Sequence, residues 1–279
     1  MIVFPELYQA NALYLPIADN SVDCVVTSPP YWGLRDYHVD NQLGMESTPE
    51  EYCNNMVEVF REVWRVLKPT GTAWLNLGDS YVGTGHKAKD LVGIPWRVAF
   101  ALQTDGWYLR SDIIWSKPNP MPESVKDRPT KAHEYIFLLT KSKNYYYDAD
   151  AIGEPAKDWG TRDRTNGKYH NEGTGLQPHT GLEKSYATKN KRSVWSITTK
   201  TYADAHFATF PEDLIEPCIL AGSPGGGIVL DPFVGSGTTM IVAQKHRRKG
   251  IGIDLNKEYL DLAVKRIKNS KYNNQFVLF

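Results

Sequence analysis

The sequence lacks several features that would place it in a common class of protein. Its three cysteines, Cys24, Cys53 and Cys218, lie far apart without the CxxC spacing of a zinc site or the pattern of a disulfide framework. No apolar run approaches the length of a membrane span, and the N-terminus has no basic segment followed by an apolar one. The sequence therefore predicts a protein of a reducing cytoplasm, with no metal site and no membrane contact.

An excess of charge of one sign is also missing, although the charges are unevenly distributed. Lysine and arginine number 32, and aspartate and glutamate also number 32, so the net charge predicts no partner. Arg35 is the only lysine or arginine among the first 60 residues, whereas basic residues gather at 184–192 and 245–249. A neutral protein with this distribution can present one positive face.

A stiff turn follows the first strongly apolar run of the chain. Residues 22–26 are apolar enough for a buried strand, and Pro29 and Pro30 must end it because proline has no N–H to donate to a sheet. With the φ angles of both prolines fixed, the carbonyls of Ser28 and Pro29 point in nearly fixed directions beside the ring of Tyr31. Such an acceptor pair is suited to holding a planar amino group. Taken alone, these residues fit a plain strand end with a packed tyrosine equally well.

Apolar periodicity predicts alternating strands and helices along most of the chain. The predicted strands are 22–26, 72–77, 108–115, 134–140, 144–148, 227–230 and 250–254, and the predicted helices are 48–68, 95–104, 214–220 and 238–247. The three residues 141–143 are short enough to join two of these strands as an antiparallel hairpin. We therefore expect an α/β fold with a single doubly wound, mainly parallel sheet and an antiparallel hairpin at its edge.

A glycine-rich turn, Asp-Pro-Phe-Val-Gly-Ser-Gly-Thr-Thr at residues 231–239, lies between a predicted strand and a predicted helix. Glycines in such a turn let the backbone approach a ligand, and Asp254 ends the next strand about 20 residues on, where nucleotide-binding folds place an acid for ribose hydroxyls. The third glycine of a dinucleotide fingerprint and the Gly-Lys-Ser/Thr of a phosphate loop are both missing. The turn therefore suits a ligand with a ribose and a positive charge but no phosphate, such as S-adenosylmethionine.

The middle of the chain, residues 151–192, is poor in apolar residues and mixes cations with aromatic rings. Cations pair with phosphates and rings contact bases, so this composition favours nucleic-acid binding over a plain linker. The cations that we predict to contact nucleic acid, including two from the polar loop near residue 127, are Lys126, Arg128, Arg162, Arg164, Lys189, Lys191 and Arg192.

Together, the two motifs resemble those of the DNA methyltransferases that methylate an exocyclic amine, cytosine N4 or adenine N6. Residues 27–32 look like the catalytic motif of this family, 231–239 like its cofactor loop, and 210–214 like the cofactor-side motif that precedes that loop. Residues 126–130 and 134–137 are also similar to segments of the family. The catalytic motif comes first, the variable segment next and the cofactor loop last, an order that resembles the permuted beta group.

This resemblance implies S-adenosylmethionine as methyl donor and double-stranded DNA as substrate. It gives catalytic roles to Ser28, Pro29, Pro30 and Tyr31: Ser28 and the Pro29 carbonyl would accept the amine hydrogens, and Tyr31 would stack on a base flipped out of the duplex. Positioning and preorganised dipoles would supply the rate, so no metal is required. The cofactor-binding residues that it implies are Phe210, Glu212, Asp231, Phe233, Gly235, Ser236, Gly237, Thr238 and Asp254.

The resemblance also implies an organisation and a setting. Residues 1–150 would form the catalytic half of one methyltransferase domain, 151–192 an inserted target-recognition region, and 193–279 the cofactor-binding half. We expect a cytoplasmic protein of prokaryotic or phage origin in a restriction-modification or similar system. A cognate restriction endonuclease and a second copy of the chain are the protein partners that this setting implies.

Several alternatives stay open at this stage. Serine at the first motif position is more typical of cytosine-N4 enzymes than of adenine-N6 enzymes, which favours N4. Methylation of a protein amide or a small molecule uses related motifs, but there the cofactor loop normally comes first. Intact Ser28, Tyr31 and Asp231 argue against a DNA-binding protein without catalysis. Pro217 and Cys218 are similar to the nucleophile dipeptide of ring-carbon cytosine methyltransferases, but they lie in a predicted apolar helix, and we interpret Cys218 as a core residue.

Overall fold

The computed structural model describes residues 4–37, 39, 42–82, 87–156, 188–199 and 210–272. Its strands are β1 (Glu6–Gln9), β2 (Val22–Thr27), β3 (Leu67–Leu77), β4 (Tyr108–Ser116), β5 (His133–Thr140), β6 (Glu154–Pro155), β7 (Thr188–Lys189), β8 (Val194–Ser196), β9 (Ile228–Asp231) and β10 (Lys249–Asp254). Its helices are α1 (Pro49–Val66), α2 (Ile94–Thr104), α3 (Glu212–Gly222), α4 (Thr238–Lys245) and α5 (Lys257–Asn269), with a 3-10 turn at Asp150–Ile152. None of these helices is long and apolar enough to cross a membrane.

Eight strands form one sheet in the order β1-β10-β9-β2-β3-β5-β4-β8. The pairs from β1 to β3 are parallel, as is the pair of β4 and β8, whereas β5 runs antiparallel to both of its neighbours. The predicted α/β class with a mainly parallel sheet is therefore confirmed. Strands β6 and β7 pair separately, where the two described ends of the middle segment meet.

The central strands are buried on both faces, and successive residues serve opposite cores. On β2, Val25 packs with α1 and α2, whereas Cys24 and Val26 pack with α3. On β5, Phe137 belongs to the first core and Leu138 to the second. Since side chains alternate across a strand, burial on both faces requires continuous apolar runs, which is the pattern that predicted these strands.

Helix α1 starts as predicted and ends slightly earlier than predicted. The Thr48 hydroxyl accepts a hydrogen bond from the Glu51 amide at 3.2 Å, and Pro49 is the first helical residue. The helix ends at Val66, and β3 then includes Pro69. The pairing of β2 with β3 shifts register opposite this proline. The segment around Pro69 therefore bulges away from β2, and no hydrogen bond is lost because proline has no N–H to donate.

The predicted hairpin of residues 134–140 and 144–148 is wrong in its second strand. Both edges of β5 are already paired, one with β3 and the other with β4, so residues 144–148 have no free edge to join. Instead, the amide of Tyr146 donates to the Thr70 carbonyl at 2.8 Å, and the amide of Asp148 donates to the Ala221 carbonyl at 2.9 Å. The antiparallel strand thus lies inside the sheet, and its hairpin-like partner is β4.

The carboxylate of Asp231 joins the ends of two neighbouring parallel strands. It is only 1% exposed, and it accepts hydrogen bonds from the Thr27 hydroxyl at 2.7 Å, the Thr239 hydroxyl at 2.6 Å and the Phe233 amide at 3.1 Å. The end of β2, the turn after β9 and the first turn of α4 are therefore held by one side chain. Burial raises the pKa of Asp231 to about 6, although these hydrogen bonds lower it.

This raised pKa predicts a pH effect on stability with a definite sign. An aspartate in the unfolded chain loses its proton near pH 4, so between about pH 4 and 6 the folded state binds more protons and loses stability as the pH rises. Asp231→Asn keeps the shape and removes the titration. Lowering the pH from 6 to 4.5 should therefore stabilise the unchanged protein relative to this variant, by up to about 1.4 kcal/mol per pH unit in urea unfolding. If the difference in unfolding free energy between the two proteins did not change between pH 6 and 4.5, the prediction would be contradicted.

The last residue of α3, Gly222, lies against β2 and β3 with no room for a side chain. A Cβ atom there would lie 2.4 Å from the Thr72 hydroxyl and 2.5 Å from the Trp74 indole nitrogen. Because both neighbours are fully packed, Gly222→Ala should lower the free energy of unfolding by about 1–3 kcal/mol. In the matched control Gly225→Ala the new methyl meets no atom within 4 Å, and its stability in the same denaturant titration should equal that of the unchanged protein.

Candidate active site

The two sequence motifs follow neighbouring parallel strands and so emerge at the same edge of the sheet. Strand β2 ends at Thr27, immediately before Ser28, and β9 ends at Asp231, where the glycine-rich turn begins. The two strands pair directly, with Cys24 opposite Val229. The carboxyl ends of parallel strands are where open α/β sheets bind ligands.

One cavity at this edge is lined by residues of both motifs. Ser28 and Pro30 contribute from the first motif, while Pro29 is buried. Six of the predicted cofactor-binding residues lie on the cavity wall: Phe210, Phe233, Gly235, Ser236, Thr238 and Asp254. The structure therefore brings the predicted catalytic turn and most of the predicted cofactor site together.

The other three predicted cofactor-binding residues lie outside this wall. Asp231 is buried behind the turn, and Glu212 is the first residue of α3. Gly237 precedes α4 with a φ of 83°, which favours glycine, and a Cβ there would lie 3.0 Å from the Cβ of Ala263. Asp231 and Gly237 thus shape the turn that the cavity residues occupy.

Asp254 ends β10 with its carboxylate on the cavity wall. One oxygen accepts from the Gly235 amide and the other from the Asn256 amide, both at 2.9 Å. The side chain therefore fixes the glycine-rich turn and still has lone pairs that can accept from a ligand's hydroxyls. Burial raises the pKa of Asp254.

Apart from Pro232 and Val234 in the glycine-rich turn, no motif in the sequence marked the rest of the wall. These residues come from three segments that the fold brings together, after β1, after the first motif and at the start of α5: Ala10, Asn11, Ala12, Tyr37, Val39, Gln42, Leu43, Leu255, Asn256, Tyr259 and Leu262. The rings of Tyr37 and Tyr259 meet edge to face with centroids 6.0 Å apart. Tyr37, Val39, Gln42 and Leu43 belong to the polar and aromatic loop that follows Trp32.

Tyr31 is held from the side of β3 and β5. Its hydroxyl lies 2.8 Å from a carboxylate oxygen of Glu134 and 3.2 Å from the side-chain oxygen of Asn76. Its ring lies against Gly78, where a Cβ would approach to 2.6 Å. Burial, followed by the negative charge of Glu134, raises the pKa of Tyr31 well above its usual value, so the hydroxyl keeps its proton. Stacking of this ring on a base stays a prediction.

The cations predicted to contact nucleic acid differ in their surroundings. Lys126 is exposed, whereas Arg128 pairs with Glu123 at 2.5 Å and lies 3.8 Å from the ring centre of Tyr81. Near the ends of the middle segment, Glu154 pairs with Lys189 at 3.7 Å and with Arg192 at 2.9 Å, and Lys191 lies 5.2 Å from the ring centre of Trp195. Arg162 and Arg164 lie outside the described residues.

Two further expectations concern cysteine and metal. Cys218 is fully buried in α3, and burial raises the pKa of its thiol well above its usual value, so its interpretation as a core residue is confirmed. Within the described ranges, histidine, cysteine, aspartate and glutamate side chains form no group of three that could hold a metal ion.

Comparison with known proteins identifies the family. Residues 22–265 match the family model described as DNA methylase, which covers N6 and N4 methyltransferases. The chain is 46% identical to the type II methyltransferase M.Cfr9I of Citrobacter freundii, with 96% of this chain and 89% of that protein aligned. It is 49% identical to the type II methyltransferase M.SmaI of Serratia marcescens, with 88% of this chain and 84% of that protein aligned.

Solved structures agree with this assignment. The cytosine-N4-specific PvuII DNA methyltransferase superposes with a TM-score of 0.72 at 20% identity, covering 98% of this chain and 90% of that one, which shows the shared fold. A putative DNA modification methylase from Thermus thermophilus, solved in complex with S-adenosyl-L-methionine, superposes with a TM-score of 0.65 at 25% identity, covering 95% and 93%. The chain that joins a Ser-Pro-Pro-Tyr turn to a glycine-rich loop across one cavity therefore belongs to the DNA methylase family of N6 and N4 methyltransferases.

Proposed function

We propose that the protein transfers a methyl group from S-adenosylmethionine to the exocyclic N4 amine of cytosine in double-stranded DNA, as the modification enzyme of a restriction-modification system. The observation that supports this most directly is the cavity shared by Ser28 and Pro30 of the first motif and by Gly235 and Asp254 of the second. A methyl donor in this cavity would lie beside the residues that are suited to hold an amine.

The wall of the cavity suits S-adenosylmethionine in its chemistry. Asp254 offers a carboxylate to ribose hydroxyls, and Phe233, Tyr37 and Leu262 offer rings and apolar surface to an adenine base. When bound, the cofactor supplies an electrophilic methyl group. The protein's task is then to place the acceptor nitrogen in line with that group and to exclude water.

An exocyclic amine on a base is a poor nucleophile because its lone pair is delocalised into the ring. In the proposed reaction, the Ser28 hydroxyl and the Pro29 carbonyl accept hydrogen bonds from the two amine hydrogens, which favours a pyramidal nitrogen and frees the lone pair. The nitrogen would bond to the methyl carbon as the carbon–sulfur bond breaks, with S-adenosylhomocysteine as leaving group and one amine proton released. The turn is also anchored beside these acceptors, because the Tyr52 hydroxyl donates to the Pro30 carbonyl at 2.8 Å and so fixes the turn to α1. Preorganised acceptors of this kind need no rearrangement when the reaction occurs.

The remaining assignments belong to the same proposal. Exposed Lys126 and the paired cations Arg128, Lys189, Lys191 and Arg192 are proposed DNA contacts, which would exchange their internal partners for phosphates. The division at residues 150 and 192 into catalytic half, target-recognition region and cofactor half, a cognate endonuclease, a homodimer and a cytoplasmic location are proposed with it.

The choice of base can be tested directly. The protein is incubated with duplex DNA of varied sequence and S-adenosylmethionine labelled in its methyl group, and the DNA is digested to nucleosides and separated. We expect label in N4-methylcytosine, because serine stands at the first motif position. Label found only in N6-methyladenine would overturn the N4 proposal, and DNA left unlabelled on all sequences would overturn DNA methylation by this chain.

Substitutions in the Ser-Pro-Pro-Tyr turn and on the cofactor side of the cavity should impair different steps. Tyr31→Ala removes a ring and hydroxyl beside the amine site, so it should lower the single-turnover methylation rate about 100-fold while leaving the Kd for S-adenosylmethionine within about threefold. Asp254→Ala removes charged hydrogen bonds worth about 1.5–3 kcal/mol, so it should weaken cofactor binding about 10- to 100-fold. Isothermal titration of the cofactor and rapid-quench methylation measure both quantities, and an equal cofactor defect in the two variants would contradict the division of roles.

A further inference from the structure

We propose that Glu134, held by Lys117 and Asn76, is a positioning residue that orients the hydroxyls of Tyr31 and Ser28 so that Ser28 presents an acceptor to the target amine. This inference rests on the proposed methylation of an exocyclic amine. It extends the proposed amine site to residues on or directly after three further strands, beyond the Ser-Pro-Pro-Tyr turn itself.

The topology of the sheet brings these residues together. Ser28 and Tyr31 follow β2, Asn76 is near the end of β3, and Lys117 follows β4. Strand β5 runs antiparallel between β3 and β4, so its beginning, with Glu134, lies at the edge where those strands end. Four adjacent strands thus contribute to one hydrogen-bonded network.

The partners of the Tyr31 hydroxyl decide the direction of its hydrogen. Its oxygen lies near Glu134 and Asn76, as described above, and 3.3 Å from the Ser28 hydroxyl. A carboxylate can only accept, so the Tyr31 hydrogen points toward Glu134. The Tyr31 oxygen then accepts the Ser28 hydrogen.

The orientation of Asn76 is also determined. Its amide nitrogen donates to Glu134 at 3.2 Å and to the carbonyl of Tyr135 at 3.0 Å, which uses both of its hydrogens. Its oxygen therefore faces the Tyr31 hydroxyl as a second acceptor. Glu134 and Asn76 therefore both present acceptors to the Tyr31 hydroxyl. The direction of the hydrogen-bonded chain from Ser28 through Tyr31 to Glu134 follows from this geometry.

Glu134 is held in place by an ion pair with a largely covered cation. Its second carboxylate oxygen forms a short ion pair with Lys117, and the two side chains are only 15% and 18% exposed. The ammonium of Lys117 also lies 4.3 Å from the ring centre of Trp115, which restricts it further. Away from bulk water, the charge of Glu134 polarises the two hydroxyls in series and strengthens each hydrogen bond.

The direction of these hydrogen bonds determines whether the Ser28 hydroxyl can accept a hydrogen from the base. A serine hydroxyl has one hydrogen and two lone pairs, and in this chain the hydrogen is directed to Tyr31. The lone pairs are then free to accept a hydrogen from the amine of a base. In the reversed chain the Ser28 hydrogen would face the amine hydrogens, which would oppose binding of the base in a reactive position.

The test uses the isosteric change Glu134→Gln, which keeps the size of the side chain but allows a donor to face Tyr31. We expect the single-turnover methylation rate on saturating DNA to fall about 100-fold, with the Kd for S-adenosylmethionine unchanged within threefold. The matched control is Glu216→Gln on α3, a partly buried glutamate that pairs with Lys245 at 2.8 Å. Its rate should stay within twofold of that of the unchanged protein.

A double-mutant cycle separates positioning from a general structural effect. If Glu134 acts through Ser28, Glu134→Gln should cause no further loss of methylation rate in a Ser28→Ala background. Tyr31→Phe removes the hydroxyl that links Glu134 to Ser28, so it should lower the rate to a similar extent. Equal losses in both backgrounds, or an undiminished rate in Glu134→Gln or in Tyr31→Phe, would overturn the proposal. Methyladenine as the product of the unchanged protein would contradict the N4 assignment alone, since the cycle can be measured on either amine.

Discussion

The buried carboxylate of Asp231 is the interaction on which the arrangement of the site depends. It bonds the last residue of β2, the turn after β9 and the first turn of α4, so the point at which the chain leaves each strand is fixed relative to the other. Thr27 immediately precedes Ser28, and the bond from Thr27 therefore sets the start of the Ser-Pro-Pro-Tyr turn. Asp231, which the resemblance to the family assigns to cofactor binding, holds the two motifs together. Both of its carboxylate oxygens already accept hydrogen bonds within the protein.

Burial of the sheet on both faces confines the chemistry to one edge. Helices α1 and α2 cover one face and α3 covers the other, so polar side chains on the central strands can reach a ligand only where the strands end. Ser28, Asn76, Glu134 and Asp254 all lie at or near such ends. The apolar runs that make the strands stable thus also determine where the functional residues can be.

Local patterns in the sequence predicted most of the fold and the two halves of the cavity. The strand at 22–26, α1, α2 and the βαβ unit around Asp231 each carry their signal within about 20 residues. No local pattern marked β1, β6, β7, β8 or α5: β1, for example, is a short, mostly exposed edge strand, and its partner β10 lies at the other end of the chain. The wrong prediction of a strand at 144–148 has the same cause. Whether β5 has a free edge depends on β3 and β4, and residues 144–148 carry no information about that pairing.

The direction of β5 explains why Glu134 could not be assigned from the sequence. Its residues are similar to a segment of the family, but that likeness says nothing about which edge of the sheet they reach. Had β5 run parallel to β3, Glu134 would lie at the opposite end of the strand, about 20 Å from Tyr31 at the usual rise per residue. Reversal of this one strand, fixed by pairing along both of its edges, brings a carboxylate to the edge where its neighbours end. The proposed amine site is therefore a product of sheet topology as much as of the Ser-Pro-Pro-Tyr turn.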